Sequence, residues 1–226
     1  MIQTSYSCPL PGGTDASELA LSFDAGRDVR VLIVPALLDE ANRMRRFTVE
    51  VMRRLNGAGM DSLLPDLPGC NESIQALATI ELEDWRMAIE AAAKEFSATH
   101  VLAIRGGCLL VPESCSGWFY APTRGASLLK TMLRARILAS REAGQEETVD
   151  ALLQQGIDQG LDLAGWSLSG EMIRQLQDAQ PSTSNRFSSI DQETVGGSGL
   201  WLRAEPDFDA AQADALSAIV VLGAKA

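Results

Sequence analysis

The amino-acid sequence predicts an α/β fold in three layers, with a mostly parallel central sheet and helices on both faces. Residues 29–35, VRVLIVP, form a nearly continuous apolar, β-branched run, which is typical of a strand buried on both faces of a parallel sheet. Further strand-like runs alternate with stretches of helical periodicity, as right-handed crossovers between parallel strands require. The 226 residues, 46% hydrophobic and 22% charged, suit one globular domain over residues 1–226.

The first half of the chain predicts two strand-to-helix alternations. Asp39 can cap a helix that runs to about Leu55, in which apolar residues recur at helical spacing. The strand at residues 101–104 ends abruptly at Arg105-Gly106-Gly107, where we predict a sharp strand-to-helix turn. The other elements predicted in this half are a strand at 62–65, a turn-rich loop at 66–73 and an amphipathic helix at 82–96.

The second half predicts less regular structure. Helical periodicity covers residues 123–143, 145–155 and 209–221, and short strands are expected at 118–122, 161–164 and 199–203. Residues 180–198 are rich in Ser, Thr, Gln and Gly, and we predict a long loop there.

Charge and composition exclude several classes of partner. A net charge of −11 repels nucleic acid and anionic lipid, which bind proteins mainly through phosphate neutralisation. The first twenty residues carry no basic start and no apolar run, and no stretch approaches the ~20 apolar residues that span a bilayer. We therefore expect a cytoplasmic protein with no nucleic-acid or membrane partner, and leave its oligomeric state open.

Metal and redox chemistry are not indicated. The four cysteines, Cys8, Cys70, Cys108 and Cys115, lack paired C-x-x-C spacing, so reduced thiols are expected. The acidic residues around Glu83 lie on a predicted helix start without a His or Cys at ligand spacing. We expect no metal site and no cofactor.

The order of these elements resembles the first half of the α/β-hydrolase fold. Residues 103–109, Ala-Ile-Arg-Gly-Gly-Cys-Leu, stand where that superfamily has the nucleophile motif G-x-S-x-G-G; we call them the elbow turn. More narrowly, Glu40-Ala41-Asn42-Arg43-Met44-Arg45-Arg46, followed by the Asp66 loop and Arg105, resembles the bacterial hydrolase-like proteins associated with the exosortase A system. The resemblance covers roughly residues 30–165.

The resemblance implies a hydrolase-like fold, a link to exopolysaccharide export, and an old active-site region lined by Glu40, Asn42 and Arg45. Helical spacing offers another interpretation of these charges. Arg43 stands three residues from Glu40 and four from Asp39, so the charges can instead pair along a solvated helix face.

A serine hydrolase needs a nucleophile at the elbow turn and a histidine that accepts its proton. Arg105 occupies the nucleophile position, and a guanidinium is protonated at any accessible pH and has no lone pair to offer. The one histidine, His100, begins the same strand. At about 3.3 Å per residue it lies about 16 Å from Arg105, towards the wrong end of the sheet for ligand binding. The sequence therefore predicts no Ser-His-Asp triad.

Two residues of the elbow turn, Cys108 and Arg105, each have two possible roles. A register shifted by three residues makes Gly106-Gly107-Cys108 resemble the cysteine elbow of dienelactone-hydrolase-like enzymes, although Leu110 replaces the glycine that should follow. A buried, structural Cys108 is the favoured interpretation. Arg105 either pairs with Glu40 or Asp39, which we favour, or binds an anionic ligand with the N–H groups of Gly106 and Gly107.

Two functions follow from these alternatives. The favoured one is an accessory or ligand-binding protein on a degenerate hydrolase scaffold, which takes a small-molecule or anionic ligand. The other is an unconventional hydrolase of esters or thioesters that uses Cys108, or a carboxylate with Arg105 as electrophile. The hydrolase alternative lacks a base with a pKa near 7. A carboxylate that replaces it needs a strongly raised pKa, whereas neighbouring arginines lower the pKa of a carboxylate.

Overall fold

A computed structural model describes residues 1–112 and 114–225. The strands, in chain order, are β1 (Ile2–Pro9), β2 (Asp15–Phe23), β3 (Arg30–Val34), β4 (Asp61–Pro65), β5 (His100–Ile104), β6 (Gly117–Tyr120), β7 (Leu161–Leu163), β8 (Trp166–Leu168) and β9 (Phe187–Ile190). The α-helices are α1 (Asp39–Gly57), α2 (Leu82–Glu95), α3 (Gly125–Glu142), α4 (Val149–Gln159), α5 (Gly170–Asp178), α6 (Gln192–Val195) and α7 (Ala210–Gly223). Short 3-10 helices cover Leu77–Thr79, Arg105–Leu109 and Leu200–Leu202.

Within the described residues, seven strands form one sheet in the order β1-β2-β4-β3-β5-β6-β9. The five strands from β4 to β9 are parallel, whereas β1 and β2 pair antiparallel with each other and β2 pairs antiparallel with β4. The strands β7 and β8 form a separate antiparallel hairpin. The carboxyl ends of β3, β5 and β6 are therefore adjacent at one edge, where open α/β sheets hold their ligands.

The core lies in two layers, one on each face of the sheet. Along β3, Val31 and Ile33 pack into the layer that includes α1 and α7. Leu32 and Val34 point the other way, into the layer that includes α2, α3 and α5. Because successive strand residues face opposite sides, a strand buried on both faces must be apolar throughout. The predicted three-layer α/β fold, with a mostly parallel sheet and helices on both faces, is confirmed.

The amino-terminal hairpin of β1 and β2 was not predicted. Its strands alternate between exposed and buried positions, because one side of this sheet edge faces solvent. Polar residues along these strands, such as Ser17 and Glu18, interrupt the apolar signal that made β3 recognisable.

Two predictions for the second half were wrong. Residues 180–198 are not one loop, because they contain β9 and α6. Among the described strands, β9 is an edge strand that pairs only with β6. Its middle residues Ser188 and Ser189 are exposed and polar, so this segment resembles loop sequence. Residues 199–203 form a 3-10 turn rather than a strand, with the backbone N–H of Leu202 donating to the carbonyl oxygen of Gly199 at 3.1 Å.

No helix in residues 1–112 or 114–225 has the length and apolar character needed to cross a membrane.

Candidate functional site

The backbone of the elbow turn has the strained form expected of a nucleophile elbow. Arg105 follows the last residue of β5 with φ +54°, a left-handed conformation that costs energy in any residue with a Cβ. The chain then continues as the short 3-10 helix Arg105–Leu109. Arg105 therefore stands where a hydrolase presents its nucleophile.

Both glycines of the elbow turn are closely packed, and Gly107 lies directly against backbone atoms. A Cβ on Gly107 would lie 2.3 Å from the carbonyl oxygen of Pro35, in the segment that follows β3. A Cβ on Gly106 would lie 2.7 Å from Cδ1 of Leu128 and 3.0 Å from Cγ of Leu37. The small residues thus bring the elbow turn directly against the segment after β3.

Three adjacent strand ends carry strained residues at this edge of the sheet. Leu38, after β3, has φ +56°, and Ala121, after β6, has φ +46°. With Arg105 after β5, each of three neighbouring strands leads into a non-glycine residue with positive φ. Strain of this kind costs about 1–3 kcal/mol per residue and clusters at functional sites.

The Arg105 side chain is held by three partners. Its Nε and Nη2 donate to the two carboxylate oxygens of Glu40 at 3.0 and 2.8 Å. Its Nη1 donates to the carbonyl oxygen of Ala121 at 2.9 Å, and its guanidinium carbon lies 4.0 Å from the ring centre of Trp201. The predicted ion pair between Arg105 and Glu40 is therefore present, in a bidentate form.

Helix α1 supplies the acidic partners and anchors the aromatic one. Asp39 and Glu40 begin the helix, where negative charge is favoured by the helix dipole. Arg43 lies one turn further on, with Nη2 2.7 Å from Asp39 Oδ2 and Nη1 donating to the carbonyl oxygen of Trp201 at 3.0 Å. The same helical turn thus fixes both Arg105 and the segment that covers it.

A cavity of about 100 Å³ lies beside these groups, and we call it the Arg105 cavity. Its lining combines the charged groups with apolar side chains from the segment after β3, from α3 and from the Leu200–Leu202 turn: Leu37, Leu38, Asp39, Glu40, Arg43, Arg105, Leu128, Thr131, Met132, Trp201 and Leu202. At about 30 Å³ per water molecule, this volume suits only a small ligand group.

Asn42 and Arg45 lie outside the Arg105 cavity. Asn42 is exposed on α1 and does not line the cavity. Arg45 Nη1 donates to Oδ1 of Asp66 at 3.0 Å, and the same oxygen accepts from Asn71 at 2.8 Å. Arg45 therefore holds the loop after β4, while Glu40 reaches Arg105.

The Cys108 sulfur is buried within the elbow turn. Its thiol donates to the carbonyl oxygen of Ala103 at 3.4 Å, and the residue is 2% exposed. Burial raises the pKa of this thiol, and the nearby Arg105 only partly opposes that effect. Because the thiolate is the reactive form of a cysteine, Cys108 is poorly suited to nucleophilic attack. A more open groove of about 740 Å³ passes beside Cys108, along Arg86 and Phe187.

His100 begins β5, the strand that ends at Arg105, and its contacts are structural. Its ring stacks on Trp118 with a centroid distance of 5.5 Å, and its Nδ1 lies 2.9 Å from the Thr99 hydroxyl. Burial lowers the pKa of this imidazole. The structure thus places the histidine at the opposite end of the strand from the elbow turn.

Three residues of the site were not singled out from the sequence. Trp201 follows β9 in the chain, and its ring stacks on the guanidinium of Arg105. Ala121 acts through its carbonyl oxygen, and Leu38 through its backbone conformation. The roles of Ala121 and Leu38 depend on the backbone, so residue type alone could not predict them. The apolar sequence Leu200-Trp201-Leu202 did give a signal, but we interpreted it as a strand.

Among the described residues, no group of three or more His, Cys, Asp or Glu side chains could hold a metal ion.

No protein-family model matches this chain. A comparison with curated proteins also finds no match.

Several solved structures are similar to it in fold. Est1E from Butyrivibrio proteoclasticus, with ferulic acid bound, aligns with a TM-score of 0.56 and 13% identity, over 92% of this chain and 95% of that one. Alpha/beta hydrolase domain-containing protein 10 from mouse aligns at 0.55 and 11% identity, over 98% of each chain. Rv0554 from Mycobacterium tuberculosis aligns at 0.53 and 10% identity, over 98% and 97%. Together with the sheet order and the elbow turn, these similarities establish that the chain has the α/β-hydrolase fold.

Proposed function

We propose that this chain is an accessory, ligand-binding protein that uses the α/β-hydrolase scaffold without hydrolysis. The observation that carries the proposal is the state of Arg105, which occupies the nucleophile position and has its guanidinium held by Glu40, Ala121 and Trp201. A cation fixed there can bind or position a group, but it cannot attack a carbonyl carbon or accept a proton.

The candidate catalytic groups nearby support the same conclusion. Both oxygens of Glu40 already accept hydrogen bonds from Arg105, so this carboxylate is not poised to accept a proton from water. Asp39 is paired with Arg43, and the Cys108 thiol is buried. A cysteine- or carboxylate-dependent hydrolase is therefore the less favoured function.

We further propose that the protein serves exopolysaccharide production or export alongside an exosortase system in bacteria. This part rests on the resemblance of residues 40–46, the Asp66 loop and the Arg105 turn to the exosortase-associated proteins. Reading the genes beside the coding sequence tests it. Neighbouring exosortase or polysaccharide-export genes are expected, and their absence across related genomes would contradict the link.

A hydrolysis assay tests the accessory function. Wild type and Cys108→Ala are incubated at high enzyme concentration with a panel of activated esters and thioesters. We expect no turnover above buffer for either protein. Turnover by wild type that Cys108→Ala loses would establish a cysteine hydrolase and overturn the proposal. Turnover that survives in Cys108→Ala but disappears in Glu40→Gln would establish a carboxylate mechanism and overturn it equally.

A further inference from the structure

Arg105, at the wall of the cavity, has more N–H donors than hydrogen bonds. A guanidinium has five N–H groups, and Arg105 donates one hydrogen bond from each of its three nitrogens. One N–H therefore remains on Nη1 and one on Nη2. The three acceptor oxygens that Arg105 contacts, two from Glu40 and one from Ala121, each already accept one of its hydrogen bonds. A ligand that brings an acceptor oxygen can therefore use the two remaining N–H groups.

The charges that line the cavity cancel. Arg105 is paired with Glu40, and Arg43 is paired with Asp39. A carboxylate or phosphate bound there would be a partly buried charge without a counter-charge of its own, and that desolvation is costly. A neutral carbonyl oxygen can accept from a terminal N–H of Arg105 without this cost. The charge balance therefore favours a neutral ligand over an anion.

The remaining walls are aliphatic. Leu128 and Met132 come from α3, and Leu37 comes from the segment after β3. At about 30 Å³ for each water molecule in the liquid, a cavity of about 100 Å³ holds a ligand group of about three non-hydrogen atoms. Hydrocarbon that contacts these walls is removed from water, which favours its binding.

We propose that the Arg105 cavity binds the end of a short, neutral acyl chain and retains it unchanged. The carbonyl oxygen accepts from Nη1 or Nη2 of Arg105, and the alkyl tail contacts Leu37, Leu128 and Met132. Trp201, held over Arg105 by the bond from Arg43 to its carbonyl oxygen, covers the ligand. The inference rests on the proposed non-hydrolytic function and adds the chemical class of the ligand.

Butyramide is a suitable probe, because it combines a neutral carbonyl with a three-carbon tail. A ligand of this size is expected to bind with a Kd on the order of millimolar. Two-dimensional NMR of methyl-labelled protein follows the leucine and methionine signals during titration with butyramide, and in parallel with butyrate. We expect saturable shifts of the Leu37, Leu128 and Met132 methyls with butyramide, and at least tenfold weaker binding of butyrate.

A matched pair of variants locates the binding. Thr131 is an exposed residue of α3 at the cavity wall, and Ala135 is exposed one turn further along the same helix but does not line the cavity. Thr131→Phe is expected to abolish the shifts, and Ala135→Phe is expected to preserve them. Arg105→Lys, which lacks the forked terminal N–H groups, is expected to weaken binding by at least fivefold, with its fold checked by circular dichroism.

Three results would overturn the inference: no saturable shift in wild type, shifts that persist in Thr131→Phe, or butyrate binding more tightly than butyramide. Release of butyrate from butyramide is measured in the same samples. Its appearance would instead contradict the proposed non-hydrolytic function, so the failure of the ligand class and the failure of the function give different signals.

Discussion

Arg105 combines a strained backbone with a side chain that is nearly out of contact with solvent. The Arg105 and Glu40 side chains are 14% and 13% exposed, so their pairing matters more than that of a surface pair. Removing one partner of such a pair leaves the other charge without compensation, which costs more than removing both. We therefore expect the ion pair between Arg105 and Glu40 to stabilise the folded protein, besides forming part of the cavity wall.

A double-mutant cycle tests that role. We expect Glu40→Ala to lower the free energy of unfolding by about 2–4 kcal/mol, because a partly buried guanidinium is left unpaired. Arg105→Ala/Glu40→Ala should lose less than the sum of the two single variants, with a coupling energy of about 1–3 kcal/mol. Urea denaturation at pH 7 measures each value. Additive losses would show that the two side chains do not stabilise each other.

Glu50→Ala in the middle of α1 is the matched control. Glu50 pairs with Arg53 and Arg54 on the outer part of the same helix, where the arginines stay partly exposed. Its removal should cost no more than about 1 kcal/mol.

At the scale of the elements, the packing of the elbow turn against the segment after β3 decides how the site is assembled. The strands β3 and β5 are neighbours, so their carboxyl ends bring Glu40 and Arg105 together although 65 residues separate them. Gly107 permits this approach, because a side chain there would meet the carbonyl oxygens of Val34 and Pro35. The site therefore depends on close backbone contact between two turns.

Gly107→Ala tests this dependence. The added methyl would lie 2.3 Å from a backbone oxygen that cannot move without displacing β3. We expect a loss of about 3 kcal/mol or more in the free energy of unfolding, measured by thermal and urea denaturation.

Gly57→Ala is the control for the glycine substitution itself. Gly57 ends α1, and nothing lies within 4 Å of the position that an added methyl group would take. The variant should therefore be neutral or more stable by up to about 1 kcal/mol. Equal losses in the two variants would contradict the packing argument.

At the scale of the whole molecule, the single histidine makes the pH dependence of stability simple to assign. His100 is half-buried against Trp118, and burial lowers its pKa below the usual value of 6.5. Above about pH 6.5 the imidazole is neutral in both states. Below that value the unfolded chain binds a proton before the folded protein does, so stability falls as pH decreases towards the lower folded pKa.

Comparing His100→Asn with wild type between pH 7.5 and 5 isolates this contribution. We expect wild type to lose stability relative to the variant as pH falls below about 6.5. Burial raises the pKa of the Glu18 carboxyl, which acts in the opposite direction and is common to both proteins. Parallel stability curves for the two proteins would contradict the assignment. Urea titrations at five pH values provide the measurement.

The sequence by itself determined the fold class and the limits on chemistry. The strand β3 and the helices α1 and α2 were predicted within two or three residues, because their signals are local: apolar runs, helical spacing and glycine at the turn after β5. The position of Arg105 and the presence of one histidine also follow from residue identity alone.

Only the tertiary structure decided the partners of Arg105 and the extent of the sheet. Glu40, Ala121 and Trp201 reach it from segments 65, 16 and 96 residues away, and no local pattern reports such distances. Asn42 and Arg45 were grouped with Glu40 by sequence proximity, but the helix directs the three side chains to different surroundings. The edge strand β9 was hidden because its residues are stabilised by pairing with β6 rather than by their own apolar character.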